Sequence, residues 1–415
     1  MLRRIIALVF IFSCTAVAWG ILGATIFSRT YNAGPGLRNK VQSSWGSPQV
    51  QKPPSASYSY LVAKETTTTI DGRSVENVTK ERAWATLPTD RSDIDVSIRL
   101  EHRQKGLLWY STYRVSFSGS YVFRNDSGQE QPVSLYWPFP SEKAIYDELA
   151  LTIDGQPLAY KSDKAAITAT ALMAAGSTRT LRVTYRSQGL DTWEYEFGSE
   201  VSQVRDFRLH MTTDFGDIDF PDNSLSPTEK RPSGQGWDLT WRYQNLVSGY
   251  NIAMAMPAKL QPGPLAGQIS LFAPVSLFFF FFVMFIIATL RGIDRHPMNY
   301  FFLAAAFFSF HLLLAYLVDH ISIHAAFVIC SIVSVALVVS YLRLVVGMRF
   351  ALRDAGLAQF VYLVLFSYAF FFKGFTGLAV TIGAILTLFV AMQVTGRLNW
   401  SQQFRAAATE SGHAG

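Results

Sequence analysis

The sequence predicts a multi-domain membrane protein: an all-α bundle of six transmembrane helices, including an N-terminal anchor, joined to a large all-β, sandwich-like exported domain. Three observations predict this fold class. Charged residues lie mostly between positions 28 and 267. Apolar stretches that approach or exceed the ~20 residues needed to cross a bilayer precede and follow that region. Within it, short alternating runs of apolar and polar residues are separated by turn residues, as in β-sheets.

Six apolar stretches are candidate spans, at positions 5–27, 269–290, 298–318, 322–342, 356–372 and 375–394. The first is longer than the ~7–15-residue apolar region of a cleaved signal peptide, and no small-x-small cleavage site ends it. We therefore interpret it as an uncleaved anchor. The fifth and sixth stretches are separated only by Lys373-Gly374, so one re-entrant hairpin is the alternative to two spans.

Basic residues orient these spans. Positions 28–267 hold 26 basic and 26 acidic residues, which cancel, so the formal charge of +6 arises outside that region. If the N-terminus is cytoplasmic, only Lys373 of the remaining basic residues faces outward, in agreement with the positive-inside rule. Because the exported region has no net charge, we expect no nucleic-acid partner. The basic residues predicted to be cytoplasmic are Arg3, Arg4, Arg291, Arg295, Arg343, Arg349, Arg353, Arg397 and Arg405.

Composition also divides the chain into segments. A Gly/Pro/Ser-rich stretch with Gly34-Pro35-Gly36 and Lys52-Pro53-Pro54 predicts a linker. Asp71-Gly72 and Asp154-Gly155 predict turns between strands, and a short helical interruption is expected near 141–149. Whether the strands form one or two sandwiches stays open. The predicted segments are an anchor (1–27), a linker (28–57), a β-rich domain (58–260), a five-helix bundle (268–396) and a cytoplasmic tail (397–415).

The exported region offers few residues with chemistry of their own. We interpret its tryptophans as core or edge anchors, with a carbohydrate-binding platform as the alternative. Four aspartates between positions 214 and 222 predict a structural loop, because Asp favours turns. Calcium binding is the alternative, although their spacing does not match an EF-hand. No phosphate loop, paired metal-binding cysteines or nucleophile elbow occurs, so we expect no enzyme, cofactor or metal. These residues are Trp109, Trp137, Trp193, Trp237, Trp241, Asp214, Asp217, Asp219 and Asp222.

Ionisable residues in the predicted spans are stronger candidates, because such groups usually face a bundle interior. His311 lies inside the third span, whereas Asp319 and His320 mark its outer turn and His324 follows one helical turn later. We expect His311 to be packed and hydrogen-bonded. The alternatives are a proton or ligand relay, or a metal site formed by the three histidines.

The start of the third span carries a recognisable motif. His296-Pro297-Met298-Asn299-Tyr300 is followed about twenty residues later by Asp319-His320 and then by a Ser/Val/Ala-rich span. Proline suits a first helical turn, and a well-formed helix start accounts for His296, Pro297 and Tyr300. The motif nevertheless resembles the CreD family of bacterial inner-membrane proteins. The resemblance implies a role in envelope integrity and in responses to cell-wall-acting agents, and it brings no catalytic residues.

Three classes of function follow. The first is a non-enzymatic inner-membrane protein that supports envelope integrity and stress tolerance, whose periplasmic domain binds an envelope partner or membrane lipid. The second is a small-molecule or proton-coupled transporter that uses the C-terminal bundle. An envelope enzyme is the third. We expect the first class. A transporter would need several charged residues in its spans to bind a substrate, and the spans do not contain such a group.

The charge asymmetry makes a topology prediction. A cysteine introduced at position 150 should react with an impermeant reagent added outside the cytoplasm. Cysteines at 294, 350 and 405 should react only after the membrane is permeabilised, because positive charge is retained on the cytoplasmic side. Reaction at 350 from outside would contradict the arrangement of six spans.

Overall fold

The computed structural model describes residues 2–32, 34–70, 73–198, 202–293, 296–372 and 374–396. The chain forms two compact units. The helical unit comprises Met1–Gly36, Gly106–Leu108 and Leu260–Gly415, and the β unit comprises Leu37–Lys105 and Trp109–Lys259. The β unit is therefore an insertion into the sequence of the helical unit.

Six helices in the described residues are long and apolar enough to cross a membrane, which confirms the predicted number. Spans 5 and 6 contain 24 and 20 residues. Each reaches the ~20 residues that a crossing needs, which favours two spans over a re-entrant hairpin. Lys373, between them, lies outside the described residues. Spans 1 to 6 are Leu2–Tyr31, Pro262–Leu290, Pro297–Leu317, Ile323–Val345, Met348–Phe371 and Thr376–Thr395.

Spans 1 and 2 pack closely because glycine lines their contact. A Cβ atom at Gly23 would lie 2.6 Å from the Leu271 side chain, and one at Gly263 would lie 2.6 Å from the Thr30 hydroxyl oxygen. No larger residue fits at either position unless the neighbouring group moves. Small residues serve this purpose in membranes, where close backbone approach gives the van der Waals contact that holds helices together.

Span 5 is irregular. Two of its segments, Ala351–Gly356 and Phe360–Leu365, are π-helical, and its last turn, Ala369–Phe371, is a 3₁₀ helix. The wide π-helical turns change which side chains face the neighbouring helices, and such turns are frequent at functional sites.

The β unit has one helix, Gly34–Trp45, whose first residues belong to the helical unit, and sixteen strands in its described residues. The strands are β1 Gln49–Gln51, β2 Ser55–Ile70, β3 Arg73–Leu87, β4 Thr89–Lys105, β5 Leu108–Arg124, β6 Gln131–Pro138, β7 Tyr146–Ile153, β8 Gln156–Pro157, β9 Tyr160–Ser162, β10 Ala166–Met173, β11 Thr178–Leu190, β12 Thr192–Tyr195, β13 Ser202–Thr213, β14 Glu229–Ser233, β15 Gly236–Ser248 and β16 Ile252–Ala255.

These strands form three sheets. The largest has the order β14-β15-β13-β4-β5-β11-β7-β8, the second β3-β2-β6-β10-β9 and the third β1-β12-β16. Most neighbours are antiparallel, whereas β13 with β4 and β1 with β12 are parallel. Buried apolar residues from all three sheets join in one continuous core. The β unit is therefore organised around a single core, which favours one sandwich over two.

The segment predicted as a linker, 28–57, is folded. It contains the end of span 1, the helix Gly34–Trp45 and strand β1. The helix forms because Val41 and Trp45 bury their side chains, and Pro35 is tolerated in its first turn. The Gly/Pro/Ser-rich composition of this segment predicted a linker, whereas burial of its apolar side chains folds it.

The predicted helical interruption near 141–149 is also absent from the structure, which places a turn and then strand β7 there. The Tyr146 hydroxyl fastens this turn. It accepts a hydrogen bond from the Ser141 N–H at 2.8 Å and donates one to the Ser141 carbonyl at 2.7 Å. The Tyr146 ring stacks on Phe139 with 4.7 Å between ring centroids. These contacts hold the chain extended.

Three of the five tryptophans, Trp137, Trp193 and Trp241, are completely buried in the β core, so the carbohydrate-platform interpretation is wrong for them. Trp241 also donates its indole N–H to the Leu225 carbonyl at 2.8 Å. The buried Tyr185 is satisfied in the same way: its hydroxyl donates to Gln51 Oε1 at 2.8 Å. Burial raises the pKa of that hydroxyl well above its ordinary value of 10.0, so it stays a donor.

Strand β1 makes a prediction about the boundary of the β unit. Expressed without the spans, residues 37–259 should give a soluble product with a cooperative thermal melt. A version beginning at 56 lacks β1, so β12 loses its parallel partner and the Tyr185 hydroxyl loses Gln51. We expect it to be less stable by at least ~2 kcal/mol, measured by denaturant unfolding followed by circular dichroism. Equal stability of the two versions would contradict this role for β1.

Candidate functional site

The motif at the start of span 3 builds a helix end. The His296 Nδ1 atom caps the helix by accepting a hydrogen bond from the Met298 N–H at 3.3 Å, and Pro297 is the first helical residue. Tyr300 is buried, with its ring edge-on to Phe281 at 5.6 Å. The structure therefore gives His296, Pro297 and Tyr300 positions in capping and packing. These contacts account for the motif without a ligand.

Asp319 forms an ion pair between two spans. Its carboxylate lies 2.6 Å from the Arg29 guanidinium at the end of span 1, and that guanidinium lies 5.5 Å from the Tyr316 ring centroid. Sequence reasoning missed Arg29, which it placed in the linker. Because both side chains are partly exposed, the pair contributes little stability, and its clearer effect is to fix how two helix ends meet.

The three histidines named above do not come together. His320 and His324 are exposed, and the His324 ring packs on Phe371 with 5.2 Å between centroids. In the described residues no group of three His, Cys, Asp or Glu side chains is arranged to hold a metal ion. The proposed histidine metal site and the calcium site are therefore not formed there. Asp214 instead accepts a hydrogen bond from the Leu100 N–H at 2.9 Å, as expected of a structural loop.

His311 is buried between aromatic rings. Its centroid lies 5.4 Å from that of Trp19 on span 1 and 4.9 Å from that of Phe310. Nδ1 lies 3.2 Å from the Phe307 carbonyl, which assigns the proton to this nitrogen. Among the described residues, the second nitrogen, Nε2, has no protein partner, and neither does the Trp19 indole N–H. An acceptor and a donor are thus left unpaired in adjacent buried residues, an arrangement that suits a hydroxyl or a water molecule.

A second buried polar cluster, which sequence reasoning missed, joins spans 3, 4 and 5. Gln359 lies between the two π-helical segments of span 5 and donates from Nε2 to the Ser334 hydroxyl at 2.9 Å. Ser334 in turn donates to the Ala306 carbonyl at 2.6 Å. Gln359 Oε1 has no protein partner in the part of the chain that the structure describes. An amide within an apolar stretch could have indicated a buried polar site. Its partner could not be identified from the sequence, because it is 25 positions away.

The same irregular span is linked to two other helices. Ser276 of span 2 donates a hydrogen bond to the Tyr362 carbonyl, within the second π-helical segment. The Tyr362 hydroxyl lies 2.8 Å from the Thr387 hydroxyl of span 6. A backbone carbonyl of this irregular helix is therefore hydrogen-bonded from another helix, which is how broken helices are tolerated at membrane depth.

Arg291 and Asp354 connect the end of span 2 to span 5. One guanidinium nitrogen donates a hydrogen bond to Asp354 Oδ1 at 2.8 Å, and a second guanidinium nitrogen lies 2.8 Å from Oδ2. Only 14% of the Asp354 side chain is exposed. The pair combines a charge-assisted hydrogen bond with a close charge contact, and it ties the end of span 2 to span 5. Arg295, which was also predicted to be cytoplasmic, is outside the described residues.

The β unit has a small cleft of about 220 Å³. Its lining combines the aromatic side chains of Tyr195 and Phe197 with the polar side chains of Ser92, Gln203 and Arg205. Cavities that enclose drug-sized ligands are typically larger, about 300–1,000 Å³. The cleft suits a single side chain or a small group better than a whole metabolite.

One of the comparisons with known proteins identifies a family. The family model of CreD, described as inner membrane protein CreD, matches residues 1–401. No curated protein gives a significant match. Among solved structures, a candidate nutrient-binding protein from Legionella pneumophila is 10% identical, with 46% of this chain and 73% of that chain covered and a TM-score of 0.31. An M1 zinc metallopeptidase from Deinococcus radiodurans is also 10% identical, with 41% and 42% covered and a TM-score of 0.28. Neither TM-score establishes a shared fold.

The Gln359 cluster makes a prediction about packing. Ser334→Ala leaves the Gln359 amide without its partner, so we expect a loss of about 1–2 kcal/mol. The double variant with Ser334→Ala and Gln359→Leu should lose less stability than the sum of the two single variants, because it no longer contains an amide without a partner. Reversible unfolding of the full chain in mixed micelles measures these differences.

His311→Leu is the matched control for that cycle. The Phe307 carbonyl keeps its helical bond to the His311 backbone N–H, so this change should cost less than about 1 kcal/mol. Additive effects at Ser334 and Gln359 would show that their hydrogen bond contributes nothing to the bundle.

Proposed function

Because this chain belongs to the CreD family of inner membrane proteins, we propose that it is a non-enzymatic protein that supports envelope integrity and tolerance of envelope stress. The β unit binds an envelope partner, either periplasmic or resident in the inner membrane. The spans anchor the β unit and position it. The envelope role is what membership of this family leads us to expect.

The observation that carries this proposal is the way the β unit is tied to the spans. The chain passes between the units after Gly36, on both sides of Gly106–Leu108, and before Leu260. A binding domain attached at several points stays near the membrane and has a high effective concentration for membrane-bound partners. Such tethering favours capture of envelope components over turnover of a diffusible substrate.

We also propose the orientation that the basic residues predict. Both termini are cytoplasmic, and residues 28–267 are periplasmic. Arg291 follows the last residue of span 2, and Arg343 lies in the last turn of span 4. Arg349 and Arg353 lie in the first turns of span 5. All four therefore occur at one end of the bundle in the antiparallel order of the spans, as the positive-inside rule favours. Of the other basic residues in this argument, Arg295, Lys373, Arg397 and Arg405 lie outside the described residues.

A transporter is the second candidate, and one observation favours it. Gln359 is buried between two π-helical segments, and no described residue pairs with its Oε1 atom. Irregular helices with unpaired polar atoms near the middle of a span occur in transporter binding sites. The two candidates place the activity in different units, so one experiment separates them.

Complementation of a deletion strain tests the proposal. The full chain should restore tolerance to agents that act on the envelope. A chain in which residues 37–259 are replaced by a flexible Gly/Ser linker should fail, because the partner-binding unit is missing. Gln359→Leu, present at the same level in the membrane, should restore tolerance as well as the unaltered chain does. Survival is measured against dose.

The reverse pattern would reject the proposal. If the chain without the β unit restores tolerance and Gln359→Leu does not, the activity resides in the spans and the transporter becomes the better account.

A further inference from the structure

Basic and aromatic side chains of the β unit concentrate where its chain joins the helical unit. Lys105 immediately precedes Gly106–Leu108, Trp109 immediately follows it, and Lys259 immediately precedes Leu260. The Lys105 and Lys259 side chains are exposed, whereas Trp109 is partly buried. Three consecutive junctions of one protein thus carry a cation or an indole.

Chain connectivity sets the depth of these residues in the membrane. The Leu107 carbonyl accepts a hydrogen bond from the Gly263 N–H at 3.4 Å, in the first turn of span 2. Since consecutive Cα atoms are 3.8 Å apart, Lys105 lies within about 8 Å of Leu107, and Lys259 within about 12 Å of Pro262. Both lysines are therefore close to the start of a membrane helix, however the rest of the β unit is arranged.

The length of span 2 places that start among lipid headgroups. Span 2 has 29 residues, so it is about 43 Å long at 1.5 Å per residue. The hydrocarbon core of a bilayer is only about 30 Å thick. Because the apolar stretch of this span begins only at position 269, the first turn of the helix extends beyond the hydrocarbon. The ammonium groups of Lys105 and Lys259, on long flexible stems, reach the layer that contains lipid phosphates.

The lysines carry charge that no carboxylate offsets. In the part of the chain that the structure describes, no carboxylate lies within 4 Å of Lys105 or Lys259. The Lys259 Nζ atom lies instead 4.3 Å from the centroid of the Trp109 ring. Tryptophan beside a cation is typical of residues at the membrane interface. Lys259 also lowers the pKa of His102, after the larger effect of burial and against a hydrogen bond to the Pro257 carbonyl, so its positive field reaches neighbouring groups.

A second cation–aromatic group adds to this surface. The Arg103 guanidinium lies 3.5 Å from the centroid of the Trp45 ring, and Arg114 lies 5.6 Å from the same ring. Both arginines share one carboxylate, that of Glu101, at 3.1 Å and 3.0 Å. The two arginines and the one carboxylate together carry a net charge of one positive unit. Arg103 is two residues from Lys105, so the excess charge adds to that of the two lysines.

We infer that Lys105, Lys259 and Arg103, with Trp109, form a binding site for the headgroups of anionic phospholipids. The ammonium groups contact the lipid phosphate, and the indole of Trp109 occupies the interface between headgroups and acyl chains. Each lysine near a membrane surface contributes roughly a fivefold gain in affinity for anionic lipid. The site depends on the position of span 2 and not on the proposed envelope role, so either can fail without the other.

Lipid binding to the full chain tests this inference. The purified protein in a non-ionic detergent is titrated with phosphatidylglycerol or phosphatidylcholine, and bound lipid is counted by native mass spectrometry. Lys105→Gln combined with Lys259→Gln should weaken phosphatidylglycerol binding about thirtyfold and leave phosphatidylcholine binding unchanged. Replacing both lysines with arginine should retain most of the affinity, because the charge is kept.

A matched control comes from elsewhere in the β unit. Lys230 lies 4.0 Å from the centroid of the Trp237 ring and is exposed, as is Lys161. Lys161→Gln combined with Lys230→Gln removes the same charge away from the junctions, and it should leave phosphatidylglycerol binding unchanged. An equal loss in this control would mean that net charge alone attracts the lipid, and the site would be rejected.

Two further measurements decide between sources of phosphate and guard against misfolding. Inorganic phosphate should not displace phosphatidylglycerol at comparable concentration; if it does, the site takes a free anion and the lipid assignment is wrong. In the unaltered chain, phosphatidylglycerol binding should weaken as salt increases, whereas phosphatidylcholine binding should not. Salt-independent binding of phosphatidylglycerol would overturn the inference even if the glutamine variants fail to fold.

Discussion

The close approach of spans 1 and 2 is the contact on which the architecture depends. Gly23, Gly263 and Gly267 line it, and the residues opposite them leave no room for a Cβ atom without adjustment. The two helices are separated in sequence by the whole β unit. The C-terminal end of span 1 nevertheless packs against the N-terminal end of span 2. In a bilayer this meeting has no hydrophobic driving force, so it relies on shape.

The rest of the bundle follows from the need to satisfy polar groups without water. Ser334, Gln359 and the Ala306 carbonyl form one chain of hydrogen bonds across three helices. Ser276 reaches the widened backbone of span 5 at the Tyr362 carbonyl. Each link is directional, so together they specify one arrangement of helices whose apolar surfaces alone would tolerate several. Among the described residues, buried polar atoms without a protein partner remain at Gln359 and His311, and also at Trp19 and Ser270.

Much of the fold could be predicted from the sequence, because its signals are long or local. A run of twenty apolar residues has few alternatives, so the number of spans followed from composition, and alternation with turn residues indicated the β unit. What escaped prediction depends on distant partners. The helix Gly34–Trp45 forms because Trp45 is buried, although its composition resembles a linker. Arg29 meets Asp319 across 290 positions, and Gln359 acquires its partner only when spans 4 and 5 pack.

The insertion of the β unit imposes an order on biosynthesis. Its last strand, β16, ends at Ala255, and span 2 begins at Pro262. The third sheet is therefore completed only as span 2 is about to be made. During the roughly 10–50 s needed to synthesise the intervening residues, the side of span 1 that contains Gly23 has no span 2 to pack against. An assembling chain is thus exposed to wrong helix partners for that interval, and correct pairing with span 2 closes it.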